Sequence, residues 1–169
     1  MKYEEVTRLG HWFADRFAEI VARDPEEYCV DVVVPVPLPP ARQQERGYKK
    51  ANRIARALAN RLGIQHDADL LMRTKPRPAR LVFSRKEHWE SVRGAYATRK
   101  GLRVDKLRVL LVDDVMMTGA TLDACSRALR NAGAASVVAL TVARGFGLGT
   151  ADRPSGKSAP FAENLQTGN

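Results

Sequence analysis

The hydrophobic residues of this chain fall into two kinds of pattern, helical spacing and short continuous runs. Helical spacing, with apolar residues every three or four positions, is found in residues 3–23, 51–62 and 119–132. Gly63 and Gly133 follow the second and third of these segments, as is typical of helix ends. We therefore predict three amphipathic helices.

Continuous apolar runs separate these helices. Residues 29–34, 109–113 and 136–144 are rich in β-branched side chains, which is typical of strands buried on both faces of a parallel sheet. Four prolines between residues 35 and 40 are predicted to end the first strand, because proline cannot donate to a strand ladder. Alternating strands and helices predict an α/β fold, a parallel sheet flanked by helices.

Two segments have no sustained hydrophobic period. Residues 73–100 are rich in Arg, Lys and Pro and are predicted to form a mobile loop or an irregular β hairpin. Residues 146–169 contain many turn-forming residues and little to bury, so we expect a disordered or loosely attached tail. Residues 1–145 are then expected to form one domain.

Basic residues are concentrated in the middle of the chain. Residues 42–103 carry seventeen basic and five acidic side chains, a net charge of +12, whereas the 169-residue chain carries +9. This segment is expected to attract nucleic acid or a phosphorylated small molecule, although charge alone does not exclude a merely solvated face. No stretch approaches the ~20 apolar residues of a membrane span, and two cysteines without a CxxC pair favour a cytoplasmic location.

Two adjacent carboxylates, Asp113 and Asp114, end the second apolar run. They would repel a phosphate, but they are suited to accept hydrogen bonds from a vicinal diol. They are also suited to approach a divalent cation through water. Because ligands bind beyond the carboxyl ends of parallel strands, this pair should share one sheet edge with the proline-rich loop that begins at Pro35.

The loop that follows the carboxylates is suited to an anion. It consists of Met117, Thr118, Gly119, Ala120 and Thr121. Gly119 permits a close backbone approach, so that successive N–H groups form a nest at a helix N-terminus, and the two threonines add hydroxyl donors. A phosphate site beside a diol site describes a ribose 5-phosphate. The alternative is an ordinary strand-to-helix connection in which Thr118 caps the helix.

Residues 109–121, VLLVDDVMMTGAT, resemble the phosphoribosyl pyrophosphate signature of the type I phosphoribosyltransferases. Within that superfamily the chain resembles the ComF family, the competence-associated phosphoribosyltransferase-like proteins. Three further stretches carry this resemblance: VVVPVPLPPARQQERGYKKANRIARALA (32–59), VRGAYA (92–97) and VVALTVARG (137–145). Together they cover roughly residues 30–145. No N-terminal cysteine zinc module, which many members carry, is found in this sequence.

The resemblance implies a type I phosphoribosyltransferase-like fold. It also implies transfer of a phosphoribosyl group between pyrophosphate and a nitrogen nucleophile. Asp113 and Asp114 would hold the ribose hydroxyls, and residues 117–121 would hold the 5-phosphate. Magnesium would bridge ribose and pyrophosphate, without a direct protein ligand that we can assign. The pyrophosphate would contact Pro35, Val36, Pro37, Leu38, Arg42 and Arg46. Residues 73–100, which we call the hood segment, would close over the site.

The chain departs from the family pattern at several positions: Met117, Lys49, Ala79, His88 and Ser91. These departures bear on turnover and on the acceptor base more than on sugar-phosphate binding. Two other functions therefore stay open. One is a non-catalytic module that binds single-stranded DNA, with competence proteins as partners, and the other is a sugar-phosphate sensor. A homodimer formed through the first helix is a further expectation.

Overall fold

A computed structural model describes residues 2–37, 46–76 and 85–145. Four helices and six strands lie in these ranges: α1 Lys2–Arg23, β1 Val32–Pro35, α2 Arg46–Leu62, β2 Gln65–His66, β3 Leu71–Arg73, α3 Arg85–Val92, β4 Tyr96–Thr98, β5 Arg108–Met116, α4 Ala120–Asn131 and β6 Ser136–Arg144. Four of the strands form a parallel sheet in the order β2-β1-β5-β6. The predicted α/β fold with a parallel sheet is therefore confirmed.

The sheet is buried on both faces. Side chains of β5 alternate between two hydrophobic clusters, because successive residues of a strand point to opposite sides. Val109 and Leu111 belong to a cluster with α4 and the small β3–β4 sheet, whereas Leu110 and Val112 belong to one with α1 and α2. All four are fully buried. This double covering explains why the sequence shows a continuous apolar run instead of an alternating one.

Both strands that lead to the predicted site extend further at their carboxyl ends than the sequence indicated, although β1 begins at Val32 and not at residue 29. β1 continues through Pro35, which lies in register with Val112. The carbonyl of Val33 accepts a hydrogen bond from the N–H of Asp67, on the β2 side of β1. Pro35 is two residues further along the strand, so its backbone faces the same side. Since β2 ends at His66, the missing N–H of Pro35 breaks no ladder bond. The prediction that β1 ends before this proline was wrong.

β5 continues to Met116, so Asp113 and Asp114 lie within the strand and not after it. The reason is the neighbouring strand β6, which stays paired with β5 as far as Met116 and Arg144. The bounds of β6, residues 136–144, match the prediction. Residues 109–112 are therefore the fully buried part of a longer strand.

The hood segment contains more regular structure than the sequence suggested. Its first residue, Arg73, ends β3, and β3 pairs antiparallel with β4, which agrees with the interpretation as a hairpin. Between them lies the helix α3, which the sequence did not predict because only Val92 among its described side chains is buried. Residues 77–84 and the predicted tail, residues 146–169, lie outside the described residues. The domain boundary at residue 145 stays a prediction.

An ion pair joins β1 to β5 at the end of the sheet opposite the predicted site. Asp31 accepts hydrogen bonds from the backbone N–H, the Nε and the Nη2 of Arg108, at 2.9, 3.0 and 2.6 Å. These side-chain and backbone bonds lower the pKa of Asp31 to about 2. The pair therefore helps to fix the register in which the two site strands run.

We predict that Asp31→Asn lowers the melting temperature at neutral pH. Because the pKa of Asp31 in the folded state, about 2, lies below its ordinary value of 3.8, the stabilisation is present above pH 4 and is lost as the pH falls towards 2. In thermal melts between pH 7 and pH 2.5, the melting temperatures of the variant and of the unmodified protein should converge as the pH falls. Asp69→Asn, which removes only an exposed partner of Arg99, is the control and should change little. If the variant melts lower by the same amount at pH 7 and at pH 2.5, the ion pair between Asp31 and Arg108 is not the cause of the difference.

Candidate functional site

The carboxyl ends of β1 and β5 lie side by side at one edge of the sheet. Val36 donates its backbone N–H to the carbonyl of Val112 at 2.8 Å, and Asp113 is the next residue of β5. Pro35, Val36 and Pro37 are buried there. The structure thus brings the start of the proline-rich loop and the first carboxylate to the same edge.

Part of the predicted pyrophosphate site cannot be compared with the structure. Leu38 and Arg42 lie outside the described residues. Arg46 is the first residue of α2, whose N-terminus follows this loop, and only its backbone is described. The same holds for Lys49, and Ala79 lies outside the described residues. The roles of these residues stay predictions.

Asp113 and Asp114 are both partly buried, and their nearest hydrogen-bond donors are backbone N–H groups. Asp113 accepts from the N–H of Asp114 at 2.9 Å, and Asp114 accepts from the N–H of Val115 at 2.8 Å. Across the described part of the chain, neither carboxylate forms a salt bridge with a lysine or arginine. Among the side chains that the structure describes, two acids are thus placed together without a salt bridge to a cation.

This arrangement changes the protonation of Asp113. Burial and, after it, the charge of Asp114 together raise the pKa of Asp113 to about 7, although the N–H of Asp114 acts in the opposite direction. A cation brought to this edge would favour the ionised form, and a diol would satisfy its acceptor oxygens. Carboxylate oxygens are ligands that Mg²⁺ accepts, alone or through water, so the pair fits that ion.

A buried polar cluster lies behind Asp113. Arg73 of β3 is only 7% exposed, donates from Nη1 to the hydroxyl of Tyr96 at 2.9 Å, and places its guanidinium 5.3 Å from the centre of that ring. Burial raises the pKa of Tyr96 and of Cys125 on α4, and the charge of Asp113 adds to both shifts. Sequence reasoning missed Arg73 and Tyr96, because nothing distinguishes this arginine from the other basic residues of its segment.

The loop 117–121 turns the chain from β5 into α4. Gly119 is the N-cap of α4 and has φ of 81°, a left-handed conformation that favours glycine. No side chain caps the helix, so Thr118 is not its N-cap. The Thr118 hydroxyl accepts instead from the N–H of Ala120 at 3.3 Å. The N–H groups at this N-terminus thus have few partners within the described residues.

Met117, one of the departures from the family pattern, packs beside the end of β6. Its side chain is 54% exposed and lies against Gly145, just beyond β6, where an added β-carbon would displace its sulfur atom. The N–H of Gly145 donates to the carbonyl of Met116 at 2.8 Å. The end of β5 is therefore held to the end of β6 by a hydrogen bond, and the first residue of the loop by a packing contact.

A histidine of the hood segment reaches the loop. The Nδ1 atom of His88, on α3, lies 2.6 Å from the Oγ1 atom of Thr118, and α3 packs against α4. Ser91 donates its hydroxyl to the carbonyl of His88 at 2.8 Å, within the same helix. The sequence showed His88 and Ser91 as departures from the family pattern. It did not predict the contact of His88 with Thr118, because thirty residues separate the two and no motif joins them.

The family model for the phosphoribosyl transferase domain matches residues 44–162. The chain therefore belongs to this family of phosphoribosyl transferase domains. Competence protein F of Haemophilus influenzae is 32% identical over 119 residues, covering 68% of this chain and 50% of that protein. DNA utilization protein YhgH of Escherichia coli K12 is 29% identical over 107 residues, covering 63% and 46%. These relatives confirm the resemblance to the ComF family, and the chain spans about half of their length.

Solved structures support the same fold. A hypoxanthine phosphoribosyltransferase from Staphylococcus aureus superposes with a TM-score of 0.51 at 15% identity, over 88% of this chain and 70% of that chain. Such a likeness shows the fold alone, and it confirms the type I phosphoribosyltransferase-like architecture. No helix among the described residues is long and apolar enough to cross a membrane. Within the same residues, no three His, Cys, Asp or Glu side chains are grouped as metal ligands.

We predict that Asp113→Asn makes the free protein more stable at pH 8. The pKa of Asp113 in the folded state, about 7, lies above its ordinary value of 3.8, so the unmodified protein loses stability as the pH rises from 4 to 7. The variant lacks this loss and should gain about 1 to 3 kcal/mol at pH 8, since one pKa unit corresponds to about 1.4 kcal/mol.

Urea unfolding at pH 4 and pH 8, in buffer containing a chelator, measures this difference. At pH 4 the variant and the unmodified protein should be similar, because Asp113 is then protonated in the folded state. Asp69→Asn serves as the control with an exposed carboxylate. A variant that gains nothing at pH 8 would show that another group already balances the charge of Asp113.

Proposed function

We propose that this domain binds phosphoribosyl pyrophosphate together with Mg²⁺ and transfers the phosphoribosyl group to or from a nitrogen nucleophile. One observation carries the proposal: two carboxylates, which form no salt bridge with any described side chain, share a sheet edge with a glycine-capped helix N-terminus. Membership of the phosphoribosyl transferase domain family supports the proposal that this arrangement is a site for a sugar phosphate. The acceptor base is not specified by these residues.

The ribose is assigned to the carboxylates. Its two hydroxyls would donate to Asp113 and Asp114, whose oxygens are otherwise bonded only to backbone N–H groups among the described residues. The 5-phosphate is assigned to the 117–121 loop, where the backbone N–H groups and the positive end of the α4 dipole favour an anion. The short distance along the chain between the two sites matches a single phosphorylated sugar.

The pyrophosphate is assigned to the end of β1. The loop that begins at Pro35 would surround it, with Arg42 and Arg46 as cationic partners and Mg²⁺ neutralising the charge on its oxygens. In the reaction, the bond from the anomeric carbon to the pyrophosphate oxygen breaks as a nitrogen lone pair forms the new bond. The protein's part is to hold the attacking nitrogen, the anomeric carbon and the pyrophosphate oxygen in line.

Calorimetric titration of phosphoribosyl pyrophosphate with Mg²⁺ tests the proposal. We expect binding that requires Mg²⁺ and that weakens roughly 100-fold or more in the Asp113→Asn/Asp114→Asn protein, because hydrogen bonds to charged groups are the strong ones. Asp69→Asn should bind like the unmodified protein. If the unmodified protein does not bind the ligand at millimolar concentration, the proposal is wrong.

A second prediction concerns the backbone of the loop. Gly119→Val should abolish binding of ribose 5-phosphate, because a side chain at a φ of 81° displaces the N–H groups that would face the phosphate. Gly63→Val is a matched control, since Gly63 has a φ of 66° and open space around it. Both variants should lose about 1–2 kcal/mol of stability from backbone strain.

Only the Gly119 variant should lose ligand binding. Unfolding by urea gives the stability of each variant, and titration calorimetry gives its affinity for ribose 5-phosphate. If Gly119→Val binds as well as Gly63→Val does, the 117–121 loop is an ordinary turn, and the phosphate must bind elsewhere.

A non-catalytic module that binds single-stranded DNA is the second candidate. The observation that favours it is α2, which carries six lysines and arginines and no acidic residue. Lys50 and Arg56 of this helix are exposed, and neither forms a salt bridge within the described residues. Two of the relatives are also named for DNA utilization or competence.

Salt and magnesium separate the two candidates. DNA binding through many cationic contacts should weaken as salt rises, with a log–log slope of roughly −0.7 per phosphate on single strands. It should survive in the Asp113→Asn/Asp114→Asn protein, because two repelling charges are removed. Tight, magnesium-independent DNA binding at physiological salt without sugar-phosphate binding would favour the DNA module. Ligand binding with no release of pyrophosphate in the presence of any tested base would favour a sensor.

A further inference from the structure

The contact between His88 and Thr118 joins the hood segment to the 117–121 loop through one short hydrogen bond. The Nδ1 and Oγ1 atoms are 2.6 Å apart, and both side chains are partly buried. The same Oγ1 atom accepts from the N–H of Ala120 at 3.3 Å. The Thr118 hydroxyl therefore lies between the helix α3 and the N-terminus of α4, which is where the proposed function places the 5-phosphate.

The direction of this hydrogen bond depends on the histidine tautomer. If Nδ1 is unprotonated, the Thr118 hydroxyl donates its hydrogen to the imidazole, and no hydrogen is left for a ligand. If Nδ1 carries the hydrogen, Oγ1 accepts from His88 and from Ala120 together. The hydroxyl hydrogen of Thr118 then points away from both donors, and an anion in the loop can accept it.

We propose that His88 is a positioning residue for the phosphate: by donating from Nδ1 it turns the Thr118 hydroxyl hydrogen into the 117–121 loop. This inference rests on the proposed function for the identity of the anion, a sugar 5-phosphate. An anion in the loop favours the donating tautomer, because that tautomer adds one more hydrogen bond to the anion. The hood segment then takes part in phosphate recognition through a residue that does not touch the phosphate.

Variants at position 88 separate this role from a merely structural one. His88→Asn keeps an N–H donor close to the position of Nδ1, His88→Asp keeps the shape but offers only an acceptor, and His88→Leu removes both. We expect His88→Asn to bind ribose 5-phosphate within about threefold of the unmodified protein. His88→Leu should bind about tenfold more weakly, the usual effect of one hydrogen bond to a charged group, and His88→Asp more weakly still.

Two controls test whether substitutions at position 88 affect only the binding of the sugar phosphate. Magnesium pyrophosphate, which has no sugar phosphate, should bind equally to all four proteins. Trp89→Leu changes the exposed neighbour on α3 and should leave binding of ribose 5-phosphate unchanged. Thermal melts of each variant report whether α3 still folds onto α4. Thr118→Val should weaken binding about as much as His88→Leu, and the double variant should be no weaker than Thr118→Val alone, because the two residues act through one hydroxyl.

The outcomes distinguish this inference from the proposed function. Binding of both ligands by the unmodified protein, with equal affinities for the Asn, Asp and Leu variants, would overturn the role of His88 and leave the proposed function intact. Binding of ribose 5-phosphate but not of phosphoribosyl pyrophosphate, with the expected order of variants, would overturn the proposed function and support the role of His88. An unmodified protein that binds neither ligand would overturn both.

Discussion

The pairing of β1 with β5 is the constraint on which the rest of the structure depends. These are the two central strands of the sheet, and their parallel register from Val32 and Val109 onward brings Pro35 beside Val112. A shift by one residue would turn each buried side chain of one strand to the opposite hydrophobic cluster. Burial of both faces therefore fixes the register, and the register fixes the distance between the proline-rich loop and the carboxylates.

The carboxylates themselves reduce the stability of the free protein. Asp113 lies on β5 in partly buried surroundings, and Asp114 is its immediate neighbour. Ionising both carboxylates is therefore unfavourable. A protein selected for stability alone would have no reason to keep this pair at a sheet edge. Such local cost is typical of functional sites.

Continuous motifs were the part of the site that the sequence could predict. The residues from 109 to 121 carry their chemistry in one uninterrupted stretch, and the structure places them on a strand end and a helix N-terminus as that chemistry requires. Contacts between distant segments were not predictable. His88 with Thr118 and Arg73 with Tyr96 are separated by 30 and 23 residues, and α3 has too few apolar side chains to show a helical period.

The separate pairing of β3 with β4 has a consequence for how this domain can change during evolution. Leu71 is in register with Thr98 and Arg73 with Tyr96, so the chain leaves and re-enters the domain at almost the same point. The buried hydrogen bond between Arg73 and Tyr96 holds the two strands together at this point. Exposed residues between the two strands can therefore change without moving a strand of the main sheet. If the domain acts as proposed, such changes would give related domains new acceptors, provided that the hydrogen bond from α3 to the 117–121 loop is kept.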